Sequence, residues 1–279
     1  MTLTLAATPL GNPGDASPRL KAAIESAEII AAEDSRRFHR LASDLGVTFT
    51  AKIISFFDGN ETARTQEVLA LLQAGKRILV VSDAGMPTIS DPGFRLTRDA
   101  IALNIPIVVI PGPSAPTMAL ALSGLATDRF TFEGFLSRSA GARQSHLESL
   151  RFEERTMIFF EAPHRITECL SDALETFGSE RRAAICREMT KRYEETIRGT
   201  LAELSSWADS NEVLGEITLV FAGVEVGTAE KSNEEIVARV RQFEAAGMER
   251  KLAISTVAQE LDLPKKLVYS AVVEAKNSN

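Results

Sequence analysis

The sequence has few of the residues that metal and disulfide sites require. It holds two cysteines, Cys169 and Cys186, and three histidines in 279 residues. Both cysteines stand in apolar surroundings without metal-ligand spacing, so we predict two reduced, buried thiols rather than a disulfide or zinc framework. The histidines, His39, His146 and His164, are too scattered for a histidine-based metal site.

Long apolar runs are also missing. No segment reaches the roughly 18 consecutive apolar residues that a membrane-spanning helix needs. The first residues, MTLTLAATPLG, carry no basic region and are too polar for a secretory signal. We therefore expect a cytoplasmic protein with no membrane partner.

Positive charge is in deficit, since the formal net charge is −7. A protein that coats nucleic acid non-specifically needs a basic surface, so the net charge argues against that class. A nucleic-acid substrate stays compatible with local positive charge. Two loose basic clusters are present, although solvated helix faces also explain such clusters: Arg138, Arg143, Arg151 and Arg155, and then Arg187, Lys191, Arg192 and Arg198.

Several common catalytic motifs are absent. The sequence has no G-x-G-x-x-G after a strand and no G-x-x-x-x-G-K-[ST], which excludes the usual dinucleotide loop and the P-loop. It also has no G-x-S-x-G nucleophile elbow and no H-E-x-x-H metalloprotease helix.

Apolar, strand-like runs alternate with helix-like segments from the first residue to about Gly223, which predicts an α/β protein with mostly parallel sheets. Ser17 and Asn60 are predicted helix N-caps, and Gly75 is predicted to close the helix that Asn60 begins. The stretch IPGPSAP breaks the alternation. We predict an N-terminal α/β domain over 1–112 and a second α/β domain over 113–226.

The last part of the chain has a different pattern. A polar linker, Gly223–Glu235, precedes three short predicted helices, and the last two flank a turn at Asp262–Pro264. This rhythm is typical of a helix-turn-helix, and any small three-helix bundle mimics it. We predict a C-terminal helical accessory domain over 227–279.

Five loops that follow predicted strands have unusual compositions. Each concentrates Gly, Pro, Ser, Asp or paired charges: TPLGNPGD (Thr8–Asp15), SDAGMPTISDPG (Ser82–Gly93), PGPSAP (Pro111–Pro116), EAPHR (Glu161–Arg165) and REMTKRYEE (Arg187–Glu195). Glycine and proline fix backbone geometry, and ligands bind at the carboxyl ends of strands in open α/β sheets. Five such loops favour a ligand site over simple tight connections.

The first three loops indicate the chemistry of that ligand. Asp83 and Asp91 accept hydrogen bonds when ionised, and Ser114 donates or accepts. None of these loops contains Lys or Arg, which disfavours a polyphosphate. A sulfonium cofactor with an amino-acid tail and an adenosine suits them better.

A set of motifs in chain order resembles one family. TPLGNPGD, AEDSRR, SDAGMPTISDPGFRL, PGPSAP, TDRFTFEGFL, FFEAPHR and RGTLAEL are together similar to the bacterial ribosomal RNA small-subunit methyltransferase I family. The resemblance implies two α/β domains of tetrapyrrole-methylase type with S-adenosylmethionine (S-adenosyl-L-methionine) in the cleft between them. It also implies 2′-O-methylation of a cytidine in the decoding centre of the small ribosomal subunit, a homodimer, and a preference for assembled subunits over naked 16S rRNA.

The resemblance also assigns roles to positions. Together with the composition of the first three loops, it gives these predicted cofactor-binding residues: Leu10, Gly11, Asp83, Gly85, Met86, Asp91, Ser114, Ala115 and Phe160. Met86 and Ser35 depart from the family pattern, which usually has Thr at both positions, so a side-chain hydroxyl contact at Met86 is lost.

The methyl transfer that the resemblance implies needs a group to accept the hydroxyl proton. Glu161, His164 and Glu188 are the candidate bases. Arg165 and Lys191 are candidates to hold a phosphate or to lower the pKa of the hydroxyl. In an alternative interpretation, Glu161 and Arg165 only hold their loop in place by an ion pair.

Three other functions are weighed against this one. The same fold methylates small macrocycles such as corrin or porphyrin precursors. A helix-turn-helix regulator with a ligand-sensing α/β part predicts a basic recognition helix, whereas Lys265 and Lys266 stand near Asp262 and Glu274. Methyl transfer to protein, as in diphthamide synthesis, is the third.

Overall fold

The first half of the chain builds a five-stranded parallel sheet. The computed structural model describes residues 2–224, 233–261 and 263–277. The strand order is β3-β2-β4-β1-β5, and the strands are β1 (Thr2–Ala6), β2 (Ile29–Ala32), β3 (Lys52–Ser55), β4 (Arg77–Val81) and β5 (Ile107–Ile110). The intervening helices are α1 (Pro18–Ser26), α2 (Ser35–Asp44), α3 (Glu61–Gln73) and α4 (Phe94–Ala102).

Both faces of this sheet are covered. Successive side chains of a strand point to opposite faces, and β4 shows this directly. Ile78 and Val80 join one buried cluster with Leu72 and Leu96, while Leu79 joins another on the opposite face. A strand buried on both sides reads as a continuous apolar run, which is why the pattern predicts a parallel sheet.

The second sheet is mixed. Its order is β6-β7-β10-β8-β9, with β6 parallel to β7 and the other pairs antiparallel. The strands are β6 (Phe130–Phe135), β7 (Thr156–Glu161), β8 (Arg182–Arg187), β9 (Glu195–Thr200) and β10 (Ile217–Phe221), and the helices are α5 (Ala115–Ser123), α6 (Ala140–Ser149), α7 (Ile166–Phe177) and α8 (Leu201–Ser210). The expectation of mostly parallel strands was wrong here, because β9, which the sequence pattern does not reveal, pairs with β8 as a hairpin.

Helix α5 packs on the second sheet. Ala119 and Leu120 share a buried cluster with Ile158, Ala184 and Val220 of the sheet. This packing supports the proposed boundary between α/β domains near residue 112, just before α5 begins.

The predicted helix caps have different outcomes. Ser17 is confirmed as a cap, since its hydroxyl accepts a hydrogen bond from the Leu20 amide at 3.1 Å. Asn60 occupies the predicted N-cap position of α3 but makes no side-chain capping bond. Its side chain accepts from the Phe57 amide and donates to the Ser55 carbonyl instead. Gly75 follows the end of α3 with a positive φ of 90°.

Three further helices pack together after residue 232. They are α9 (Asn233–Ala245), α10 (Arg250–Glu260) and α11 (Lys265–Asn277), and Val240, Val257 and Val268 meet in their shared core. Most of the predicted linker (225–232) and Asp262 of the predicted turn lie outside the described residues. Within the described ranges, no helix is both long enough and apolar enough to cross a bilayer.

Candidate functional site

The loops after β1, β4 and β5 meet at one edge of the first sheet, because carboxyl ends of parallel strands share an edge. Thr8 and Gly85 exchange backbone hydrogen bonds of 2.9 and 3.1 Å, which joins the β1 loop to the β4 loop. Gly85 has a φ of 81°, and a Cβ built on it would lie 3.2 Å from Leu10 Cδ2. Glycine is therefore required both for the backbone conformation and for the close approach of Leu10.

The second sheet contributes its own loops to the same place. β10 runs antiparallel to β7 and β8, so its first residue, Ile217, lies opposite Glu161 and Arg187 at the ends of those strands. The start of β10 thus joins a site that is otherwise built from strand ends.

A cavity of about 420 Å³ lies between these loops. This size falls in the roughly 300–1,000 Å³ range of small-molecule sites. It is lined by Leu10, Glu33, Arg37, Asp83, Ala84, Gly85, Met86, Ile89, Ser90, Asp91, Ser114, Ala115, Pro116, Phe135, Phe160, Glu161, Ala162, Pro163, Met189, Gly215, Glu216, Ile217 and Thr218.

Most of the predicted cofactor-binding residues line this cavity. The residues in question are Leu10, Asp83, Gly85, Met86, Asp91, Ser114, Ala115 and Phe160. Gly11 is not in the wall; it packs against the Lys191 side chain so closely that a Cβ would clash. The cofactor role of all nine stays a prediction.

One wall of the cavity is acidic. The Asp83 amide donates to Glu33 at 3.1 Å, and the Asp34 amide donates to Asp83 at 3.1 Å. Burial raises the pKa of Glu33 and that of Asp83, although Arg37, 3.2 Å from Asp83, opposes the shift at Asp83. Burial, with the nearby charge of Glu33, raises the pKa of Asp91 to about 7. Such a wall favours a cation or hydroxyl donors over an anion.

Two loops at the cavity hold strained backbone. Thr88 and Ser90 in the β4 loop have φ values of 79° and 60°, and Glu188 and Thr190 in the β8 loop have 50° and 66°. Non-glycine residues with positive φ are uncommon and cost about 1–3 kcal/mol each. Their concentration in the β4 and β8 loops marks both as candidate functional segments.

The EAPHR loop is held from inside the protein. The Glu161 side chain is fully buried, accepts from the Ala162 amide at 2.8 Å and lies 3.5 Å from Arg165 Nε. Arg165 also donates to the carbonyls of Leu136 and Ser137 at 2.9 and 2.8 Å. His164 is exposed and does not line the cavity. The geometry favours the interpretation in which Glu161 and Arg165 position this loop.

Lys191 is the centre of a second ion-pair group. Its Nζ lies 2.8 Å from Glu188 and 3.0 Å from Glu216. Glu188 also accepts from the Glu216 amide at 2.9 Å, and these contacts lower its pKa against the opposing effect of burial. Neither Glu188 nor Lys191 lines the cavity, whereas Met189 and Glu216 do. The group therefore fixes the β8 loop at the edge of the cavity.

Sequence reasoning missed several lining residues. Glu33 and Arg37 both lie within the AEDSRR motif, which stands out in the sequence only by its family resemblance. Phe135 likewise lies within a motif that stands out only by its resemblance, TDRFTFEGFL. Glu216 and Thr218 gave no signal, because their place depends on the antiparallel direction of β10.

The comparisons with known proteins agree with one another. The model of the tetrapyrrole (corrin/porphyrin) methylases matches residues 2–205. "Ribosomal RNA small subunit methyltransferase I" of Mycobacterium tuberculosis is 46% identical over 275 residues, 98% of this chain and 95% of that protein. The protein of the same name from Pseudomonas aeruginosa is 39% identical, over 100% of this chain and 99% of its own length.

A solved structure shares the fold at low identity. The uroporphyrin-III C-methyltransferase of Thermus thermophilus, solved with S-adenosyl homocysteine, superimposes with a TM-score of 0.57 and 13% identity. The match covers 79% of this chain and 96% of that one.

Proposed function

The chain belongs to the tetrapyrrole methylase family and, within it, to the ribosomal RNA small subunit methyltransferase I family, and from this premise we propose that it methylates small-subunit ribosomal RNA. It is an S-adenosylmethionine-dependent methyltransferase. The proposed product is a 2′-O-methylated cytidine in the decoding centre. The observation that carries the proposal is the 46% identity, over 98% of this chain, to a relative of that name. The acidic cavity at the strand ends, which disfavours a polyphosphate ligand, agrees with it.

The cavity fits S-adenosylmethionine by its chemistry. Glu33 and Asp83 suit a ligand with a sulfonium, an ammonium and ribose hydroxyls. Leu10 and Phe160 offer apolar surface for an adenine, and the glycine at position 85 keeps space open beside Leu10. Arg37, the cationic side chain in the wall, is already paired with Asp83. When bound, the cofactor supplies an electrophilic methyl group whose leaving sulfur becomes a neutral thioether.

The chain's own contribution is mainly alignment. Well-oriented intramolecular reactions gain roughly 7–11 kcal/mol over their bimolecular counterparts. The ion pairs Glu161–Arg165 and Glu188–Lys191 hold the loops that border the cavity, and the strained β4 loop adds Met86, Ile89 and Ser90 to its wall. We assign both ion pairs to positioning rather than to proton transfer.

The proposed partners are the assembled small subunit with its 16S rRNA and a second copy of this chain. Helix α4 leaves Phe94 and Ile101 more than half exposed, which supports a protein contact there. Light scattering after size-exclusion chromatography tests the homodimer: a monomer mass at micromolar concentration overturns it.

The central test is single-turnover transfer of labelled methyl from S-adenosylmethionine. Small subunits from cells that lack this enzyme are offered beside free 16S rRNA and a porphyrinogen, followed by digestion to nucleosides. We expect label in 2′-O-methylcytidine, with subunits preferred over free RNA. Label on the macrocycle, or on a base instead of a ribose, would contradict the proposal.

The substitution Glu161→Gln tests whether Glu161 positions its loop or acts as the general base. Because the Glu161 side chain is fully buried, we expect its neutral isostere to keep the single-turnover rate within about threefold. Loss of a working general base costs about 10²- to 10⁴-fold instead. We expect stability to fall by about 1–3 kcal/mol, since Arg165 keeps its charge without a carboxylate partner. A rate loss above 100-fold in a folded variant would restore Glu161 as the base.

A further inference from the structure

One carboxylate in the cavity wall has no cation beside it. Asp91 ends the strained segment Thr88–Asp91 and lines the cavity. Within the described residues, no ion pair is found for its carboxylate. The Ser82 hydroxyl donates to the carbonyls of Ala84 and Gly85, each at 3.4 Å. The charged groups that raise its pKa are acids: Glu33 from the β2 loop, Asp83 from the β4 loop and Asp58 from the turn after β3.

The other acids near the cavity each have a cation or a backbone amide beside them. Asp83 is paired with Arg37 and accepts the Asp34 amide, and Glu33 accepts the Asp83 amide. Glu161 and Glu188 are held by Arg165 and Lys191. A nearby cation stabilises the ionised form of a carboxylate and so weakens it as a proton acceptor. In the part of the chain that the structure describes, Asp91 lines the cavity with neither an ion pair nor a backbone amide donor on its carboxylate.

We propose that Asp91 is the catalytic residue that accepts the proton of the substrate hydroxyl. The inference rests on the proposed function, and it replaces the cofactor-binding role predicted for Asp91 from the sequence with a role in proton transfer. In the transfer, the ribose oxygen bonds to the methyl carbon while the carbon–sulfur bond breaks with its electron pair on sulfur. The hydroxyl proton passes to an oxygen of Asp91, which releases it to solvent after the product leaves.

The titration of Asp91 supports this role. A base with a pKa near the working pH combines a sufficient ionised fraction with a useful proton affinity, and burial places Asp91 in that range. Because Asp91 must be ionised to act, activity rises as pH increases toward about 7 and is level above it. A raised pKa in the folded state also means that ionised Asp91 destabilises the fold as pH rises from about 4 to about 7.

The variants are Asp91→Asn and Asp58→Asn. In small-subunit methylation, we expect Asp91→Asn to lower the single-turnover rate at least 100-fold and to remove its dependence on pH between about 5.5 and 8.5. Binding of S-adenosylmethionine, measured by calorimetry, stays within about threefold of wild type. Asp58→Asn is the matched control: it keeps the plateau rate and moves the rise in activity to slightly lower pH, because it removes a like charge.

Thermal unfolding gives a readout that does not depend on activity. Relative to wild type, Asp91→Asn is expected to raise the unfolding midpoint at about pH 8 and to leave it unchanged at about pH 4, where Asp91 is protonated in the folded protein. If Asp91→Asn and wild type had equal unfolding midpoints at both pH values, ionised Asp91 would not destabilise the fold, and this premise would be wrong.

The outcomes separate this inference from the proposed function. An Asp91→Asn rate within fivefold of wild type, or an unchanged pH profile, overturns the role of Asp91 while wild-type methylation of RNA stands. A loss of cofactor affinity above tenfold makes Asp91 a binding residue and also overturns the role. Failure of the wild-type enzyme to label ribose overturns the proposed function, and the role of Asp91 falls with it.

Discussion

Gly85→Ala is expected to weaken binding of S-adenosylmethionine about 10- to 100-fold, equivalent to about 1.4–2.8 kcal/mol. Gly85 adopts a φ of 81° and exchanges two backbone hydrogen bonds with Thr8. An alanine Cβ would stand 3.2 Å from Leu10 Cδ2 and 3.8 Å from the Pro113 carbonyl oxygen. The added methyl group would force the Leu10 side chain, which lines the cavity, to shift by a few tenths of an ångström.

Gly75→Ala is the matched control for this substitution. Gly75 has a similar φ of 90°, but a Cβ there meets nothing within 4 Å. Both substitutions carry the left-handed backbone penalty of about 1–2 kcal/mol, so both should lower the free energy of unfolding by a similar amount. Only Gly85→Ala should change the dissociation constant measured by isothermal titration calorimetry.

Wild-type cofactor affinity in both variants would contradict the assignment of this cavity to the cofactor. A loss of affinity in both would show that destabilisation alone, rather than the geometry of the β1 and β4 loops, controls binding. Urea unfolding of each variant at pH 7 separates these two outcomes, because it reports stability independently of the ligand.

The local signals in the sequence locate most of the cavity. The strand-end loops at Leu10, Asp83 and Ser114 are recognisable because glycine and proline, together with short polar side chains, concentrate after apolar strands. These loops belong to a parallel sheet, in which every strand ends at the same edge. Their convergence therefore follows from the pattern of alternating strands and helices.

The second half of the site depends on strand direction, which local pattern does not encode. β9 lacks a continuous apolar run, since Glu195 and Arg198 interrupt it, and the sequence pattern therefore predicts no strand there. Because β10 runs antiparallel to its neighbours, Glu216 reaches the cavity from the beginning of a strand. Long-range pairing decides both features.

The arginine cluster at 138–155 is a second case in which local sequence does not show the tertiary contacts of a residue. From the sequence alone, Arg143 is expected to lie with Arg138 on a basic surface, which favours an RNA substrate. In the structure Arg143 is 3% exposed, and its Nε lies 2.5 Å from Asp172. The argument from this cluster was wrong for Arg143, since a buried, paired guanidinium cannot reach a phosphate.

Arg143→Met is expected to lower the free energy of unfolding by about 3 kcal/mol, near the lower end of the 3–5 kcal/mol for breaking a buried ion pair. The substitution leaves Asp172, whose side chain is 23% exposed, without its cation. The pair joins α6 to α7, the helix that follows the Arg165 turn beside the cavity. Chemical denaturation at pH 7 measures the loss, and Arg64→Met, which removes the exposed pair with Glu67, should cost less than about 1 kcal/mol.

The double variant Arg143→Met with Asp172→Leu distinguishes the lost pair from lost packing. Replacing both ions by apolar side chains removes the unpaired carboxylate, so at least half of the lost stability should return. No recovery would mean that the guanidinium contributes through shape and through its second contact with Glu168 at 3.4 Å. Because Arg143 is buried, the salt dependence of small-subunit methylation should stay at the wild-type slope in the double variant, and a reduced slope would return Arg143 to the RNA-contacting surface.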